Sequence, residues 1–188
     1  MENNKIVIGI IGEKGSGKGT ASDYLIKNHQ ADHFCISDIL KRTLENIHIP
    51  PTRENYNKLA VSMKKTFKET VLIDALIEDI ERDKANVVIA DGIRMDGDVE
   101  PFREKYGENF YLLYVTADVK IRYERTKKRK EKAGEDKTTL KQFKKEEKNP
   151  TERDIPKIGK EADFTLNNNG TKEKLEAQVK EIAKKIFK

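Results

Sequence analysis

The most explicit chemistry in the chain lies in nine consecutive residues, Gly12-Glu13-Lys14-Gly15-Ser16-Gly17-Lys18-Gly19-Thr20. Glycines at these spacings let a backbone wrap with its N–H groups pointing inward, and a helix starting at the end of the turn adds the positive end of its dipole. A lysine at the position of Lys18 then reaches the β- and γ-phosphates of a nucleoside triphosphate. ATP is therefore expected to be held by Gly12, Gly15, Ser16, Gly17, Lys18, Gly19 and Thr20. The strict pattern places a hydroxyl directly after the lysine, whereas here Gly19 intervenes and the hydroxyl arrives at Thr20. Contact of Thr20 with Mg²⁺ is accordingly either direct or through water.

Two further residues fit a phosphoryl-transfer site. Asp91 closes the apolar run Val87–Ala90, and in open α/β sheets ligands bind at the C-terminal ends of the strands. A carboxylate there is suited to hold Mg²⁺ or its waters opposite the phosphate loop. Arg94 stands three residues on, with a planar fork that clamps a phosphate bidentately. Lys18, Asp91 and Arg94 are the expected catalytic core, with Thr20 and Asp91 as the metal pair.

With these residues in view, a resemblance emerges. The run G-x-x-G-x-G-K-G-T resembles the P-loop of adenylate kinases and their nucleoside monophosphate kinase relatives, and GEKGSGKGTASDYL is also similar to phage-type deoxynucleoside monophosphate kinases. Ile36-Ser37-Asp38-Ile39-Leu40-Lys41 resembles the acceptor segment of adenylate kinases with one residue missing, and Val88-Ile89-Ala90-Asp91-Gly92-Ile93-Arg94 resembles their aspartate-glycine-phenylalanine-proline-arginine motif. Over nearly its whole length, with late Ala162-Asp163 and Asn169-Gly170, the chain looks like small archaeal-type proteins grouped with dephospho-coenzyme A kinases.

The resemblance implies an ATP- and Mg²⁺-dependent kinase, with Asp38, Lys41, Arg42 and Arg94 on the acceptor side. Asp38 would either cap a helix that shapes the acceptor site or act as general base. A phosphate acceptor is already an anionic nucleophile and needs no base, whereas a hydroxyl does. Arg122, Arg125 and Arg129 recur at helical spacing. They resemble arginines at the base of a lid that excludes water from the transferring phosphoryl. Arg125 and Arg129 are thereby implied as catalytic, and Arg153 as the far side of the lid.

The leading expectation is transfer of the ATP γ-phosphoryl to a nucleoside or deoxynucleoside monophosphate. The alternatives are phosphorylation of a hydroxyl on a nucleotide-like molecule such as dephospho-coenzyme A, or an ATP-dependent RNA or ribosome assembly switch. For the last, residues 120–160 hold sixteen Lys and Arg against eight Asp and Glu, so this stretch is +8 while the remaining residues sum to −3. Such a block fits a polyanion or simply a solvated lysine-rich face. It lacks aromatics between Tyr123 and Phe143 on which bases would stack, so nucleic acid is not the favoured partner.

These residues must be positioned by strands alternating with helices. Lys5–Ile11 and Val87–Ala90 read as buried strands, and Phe34–Ile36, Phe110–Val115 and Phe164–Leu166 as three further strands. Helical patterns are expected over 17–28, 37–46, 53–68, 69–83, 97–105, 118–132 and 171–187. Ser37 and Asp38 would cap the second of these helices. The alternation predicts an α/β, three-layer P-loop NTPase fold: a five-stranded parallel sheet flanked by helices, with a helical acceptor-binding insertion at about 37–68 and a lid at about 125–156.

At 188 residues the chain fits one domain, with 134–156 its least regular part. Charged residues make up 38%, yet the net charge is only +5, unlike a lopsided disordered tail. One cysteine, Cys35, and three histidines exclude an internal disulfide and a four-ligand zinc set. No apolar run is long enough to span a bilayer, so a cytoplasmic protein with small-molecule nucleotide substrates is expected.

Overall fold

A glycine in the middle of the first strand shows how tightly the sheet is packed. A Cβ on Gly9 would come within 3.1 Å of Ile93, Phe110 and Leu112, so the close packing of that face depends on the missing side chain. The strand, β1 (Ile6–Ile11), is the centre of the computed structural model, which describes residues 5–95, 97–129, 138–149 and 152–187. Val7 and Ile11 pack into one apolar layer, and Ile8 and Ile10 into the other. That burial on both faces is what a continuous β-branched run requires.

Four more strands, β2 (Asp32–Cys35), β3 (Val87–Asp91), β4 (Phe110–Thr116) and β5 (Phe164–Asn167), complete a parallel sheet in the order β2-β3-β1-β4-β5. α1 (Lys18–His29) and α9 (Lys172–Ile186) cover one face through Ala21, Leu25, Leu175, Val179 and Ile182. α2 (Ile36–Asn46), α4 (Val71–Arg82) and α5 (Glu100–Tyr106) cover the other, with Ile39, Ile73, Leu76, Ile80 and Phe102 in the core. α3 (Arg53–Thr66) contributes no buried residue at all. It is seated against α2 and α4, outside the three layers.

Several boundaries differ from expectation, and two differences bear on function. α2 starts at Ile36, with Cys35 in the capping position and no side-chain cap. Ser37 and Asp38 therefore lie inside its first turn, and the expected capping role of Asp38 is not what the fold uses. A carboxylate in that first turn is favoured by the positive end of the helix dipole instead.

The second difference is in 134–156, expected to be irregular. After α6 (Val119–Arg129), α7 (Leu140–Glu146) is fixed at its start by reciprocal hydrogen bonds between Thr139 and Gln142, and α8 (Ile155–Gly159) follows. Thr139-x-x-Gln142 is a capping box that the lysines around it obscured. Phe143 is buried against Tyr123 of α6. Of the expected lid, 130–137, 150 and 151 lie outside the described residues.

Candidate active site

β1 ends where the phosphate loop begins, and two positions of that loop need glycine. Gly15 and Gly17 have φ of 79° and 107°, in the left-handed region that other residues avoid. A Cβ on Gly15 would lie 2.6 Å from the Arg122 carbonyl, and one on Gly17 only 2.2 Å from Nδ2 of Asn168. Asn168, 5% exposed, donates from Nδ2 to the Ser16 carbonyl at 2.7 Å. Gly19 contrasts with them: around its Cβ position there is open space.

Lys18 opens α1 and folds its side chain back over the loop, donating from Nζ to the Gly12 carbonyl at 2.7 Å. Burial pushes its ammonium below the usual lysine range, partly opposed by Asp91, while Arg94 adds to the depression and Glu152 and Glu13 oppose it. Lys18, Asp91 and Arg94 thus lie within electrostatic reach of one another beyond the C-terminal ends of β1 and β3.

Asp91 stands opposite. Burial alone would raise its carboxyl, but the close contact with His33 and the charges of Lys18, His33 and Arg94 outweigh it and hold it below the usual aspartate value. His33 Nε2 lies 3.7 Å from Asp91 Oδ2, and that contact raises the imidazole above its ordinary value. The pair comes from adjacent strands, two residues out of direct register, because Cys35 is opposite Asp91. Arg94 pairs its guanidinium with Glu152, at the far end of the expected lid.

Glu13 was not expected to matter. It accepts from the Tyr114 hydroxyl at 2.8 Å on Oε1, while its buried Oε2 has no hydrogen-bond partner among the described residues. Burial first, and then this contact with Glu13, pushes the Tyr114 phenol up to about 12.

The remaining expected residues are more dispersed. Arg122 is 5% exposed and holds the Ala117 carbonyl, the Lys14 carbonyl of the phosphate loop and Glu147 after α7, so it braces the loop from behind. Arg125 donates to Asn168 and to the Gly170 carbonyl, fastening the β5–α9 turn. Arg129 is exposed at the end of α6, and Arg153, also exposed, pairs with the adjacent Asp154. Lys41 pairs with Glu45 at 3.9 Å, and Arg42 with Asp79 of α4 at 2.8 Å. Thr20 is half-buried in the first turn of α1. Asp38 lies within electrostatic reach of His33 and Cys35.

The residues present fit a bound triphosphate and divalent cation. Ser16 Oγ is fully buried beside the loop with no partner among the described residues, and Lys18 is a half-buried ammonium that bonds the Gly12 carbonyl and has no direct carboxylate contact among the described residues. Asp91 and Thr20 supply hard oxygen donors suited to Mg²⁺.

The comparisons agree with this geometry. Residues 11–144 match the family described as AAA domain. The chain is 25% identical over 184 residues to a UPF0200/UPF0201 protein of Archaeoglobus fulgidus, covering 97% of this chain and 56% of that one. A UPF0200 protein of Hyperthermus butylicus is 27% identical over 190 residues, covering 97% and 96%. In three dimensions the fold superposes on TT1252 from Thermus thermophilus with a TM-score of 0.63 at 19% identity, covering 97% and 98% of the two chains. Shikimate kinase from Bacteroides thetaiotaomicron gives a TM-score of 0.63 at 13% identity, covering 97% and 99%.

Proposed function

The chain belongs to the AAA domain family, with a P-loop kinase-like fold, and on that premise we propose that it transfers the γ-phosphoryl of ATP to a nucleoside or deoxynucleoside monophosphate. The observation that carries this proposal is the Arg94–Glu152 pair within electrostatic reach of Lys18. A guanidinium at the acceptor side of the crevice already grips an anion, and an acceptor phosphate is an anion of the same kind.

In the proposed reaction an acceptor phosphate oxygen forms a bond to the γ-phosphorus while the bond to the β-bridging oxygen breaks, the electron pair leaving on ADP. Lys18 and the inward N–H groups of residues 12–20 stabilise charge on the donor phosphates, and Arg94 orients the acceptor. Asp91 and Thr20 are the residues to hold Mg²⁺, which when bound neutralises charge on the β- and γ-oxygens. His33 keeps the Asp91 carboxylate oriented and ionised. Arg122 supports the loop through its carbonyl, and Arg125 and Arg129 are the positions to follow for lid contacts.

A hydroxyl acceptor is the second reading. It is favoured by the exposed Asp38 carboxylate, which the fold places near His33 at the same strand ends and does not use as a cap. ADP release measured with the common ribo- and deoxyribonucleoside monophosphates, with dephospho-coenzyme A and without acceptor separates these cases. Stimulation by a monophosphate is expected. Arg94→Ala should then raise the acceptor KM by about tenfold or more while that for ATP changes little. Stimulation by dephospho-coenzyme A alone would establish the second reading, and acceptor-independent hydrolysis would favour a nucleotide switch.

A further inference from the structure

Asp98 belongs to none of the sequence motifs, yet it is among the most buried charged residues described, at 4% exposure. Its Oδ2 accepts the backbone N–H of Arg94 at 3.0 Å and that of Met95 at 2.9 Å. Oδ1 lies 3.5 Å from Nζ of Lys64, which also lies 3.2 Å from the Met95 sulfur. One carboxylate therefore fixes the start of the turn that carries Arg94 and also meets a cation from the last turn of α3. A buried carboxylate is tolerable only when it is so satisfied.

What makes this contact more than structural is the helix it reaches. α3 has no buried residue, and Val61 and Phe67 at its C-terminal half and end are 66% and 71% exposed. It is seated against α2 and α4 with only half-buried side chains and contributes none to either apolar cluster, so a largely desolvated ion pair has more influence there than on a helix seated in the core. We propose that Lys64 and Asp98 are positioning residues for the acceptor: they hold α3 and the Arg94 turn in register, so that the acceptor segment and the phosphate clamp are set together. A displacement of α3 removes the ammonium from Asp98 and loosens the turn that aims Arg94. Binding of the acceptor between them is favoured when both are in place. This rests on the monophosphate reading for its kinetic consequence and on geometry alone for its structural one.

The test has two arms. In the first, Lys64→Met and Asp98→Asn are assayed with the monophosphate giving the fastest ADP release in the panel. Asparagine retains an oxygen for the Arg94 and Met95 amides but loses the charge that meets Lys64. Each variant should raise the acceptor KM about tenfold, with kcat and the KM for ATP within about twofold. Lys64→Arg should restore the acceptor KM to within about threefold, and the double variant should be no worse than the worse single one. An equal rise in both KM values, or additive effects, overturns the proposal.

In the second arm, hydrogen exchange of the Arg94 and Met95 amides is followed without nucleotide. Lys64→Met should accelerate it by about tenfold, with the β1 amides unchanged. Unchanged exchange at Arg94 and Met95 overturns the coupling. If wild-type protein turns over no monophosphate, the functional reading fails and this second arm alone still decides the coupling.

Discussion

One methyl group, added at either of two positions two residues apart, should have opposite effects. Gly17→Ala places a Cβ 2.2 Å from Asn168 Nδ2 on a backbone with φ of 107°. The left-handed conformation costs about 1–2 kcal/mol for a residue with a Cβ. Displacing Asn168 breaks its 2.7 Å bond to the Ser16 carbonyl in a buried setting, a further loss of about 1–3 kcal/mol. The sum is a destabilisation of about 2–5 kcal/mol. Gly19→Ala meets open space within a helix, where alanine is favoured over glycine by about 0.5–1 kcal/mol. Urea unfolding without nucleotide, compared at equal m values, measures both. ATP affinity should fall sharply in Gly17→Ala and stay within about threefold in Gly19→Ala. A Gly17→Ala protein as stable as wild type, or a destabilised Gly19→Ala protein, would refute the assignment of strain and space within the loop.

Lys18→Ala should abolish phosphoryl transfer while leaving a cooperative unfolding transition, because Lys18 belongs to neither apolar cluster; chelation of Mg²⁺ should abolish transfer as well. Asp38→Asn should change kcat by less than about tenfold if a monophosphate is the acceptor, and a fall of about a hundredfold at unchanged Tm would identify a general base and a hydroxyl acceptor. Tyr114→Phe leaves Glu13 Oε1 without its donor and should cost about 1–3 kcal/mol near neutral pH. The Tyr114 phenol titrates higher in the fold, at about 12, than in the unfolded chain, so its contribution is complete below the unfolded value and is lost as pH rises through the folded one. The wild-type stability advantage over Tyr114→Phe should therefore shrink above about pH 10 in urea midpoints, and a constant difference would contradict this.

The parts of the site legible in the sequence are those whose chemistry is local. Gly12 to Thr20 are contiguous, and Asp91 with Arg94 sits on a strand end that apolar patterning locates. The Lys64–Asp98 contact joins residues 34 apart through a turn with no distinctive spacing, so nothing along the chain announces it. His33 meets Asp91 only through the pairing of β2 with β3, which periodicity does not specify. Helical spacing put Arg122, Arg125 and Arg129 on one helix correctly. It carried no information on their partners, and two of the three turn out to hold backbone carbonyls. The capping box Thr139-x-x-Gln142 is local in the sequence, but the lysines around it dilute the apolar spacing that would extend it into a recognisable helix.

The bond between Asn168 and Ser16 spans 152 positions. During synthesis the glycine loop emerges well before the amide that braces its backbone and the Arg125 that holds Asn168. Long-range closure of this kind is slow and comes late in assembly. A ribosome-bound chain stalled before β5 would carry every residue of the phosphate loop and still lack one of the braces that shape it. Nucleotide affinity would then report that β5 has docked, because ligand binding favours the state in which the loop is fully braced.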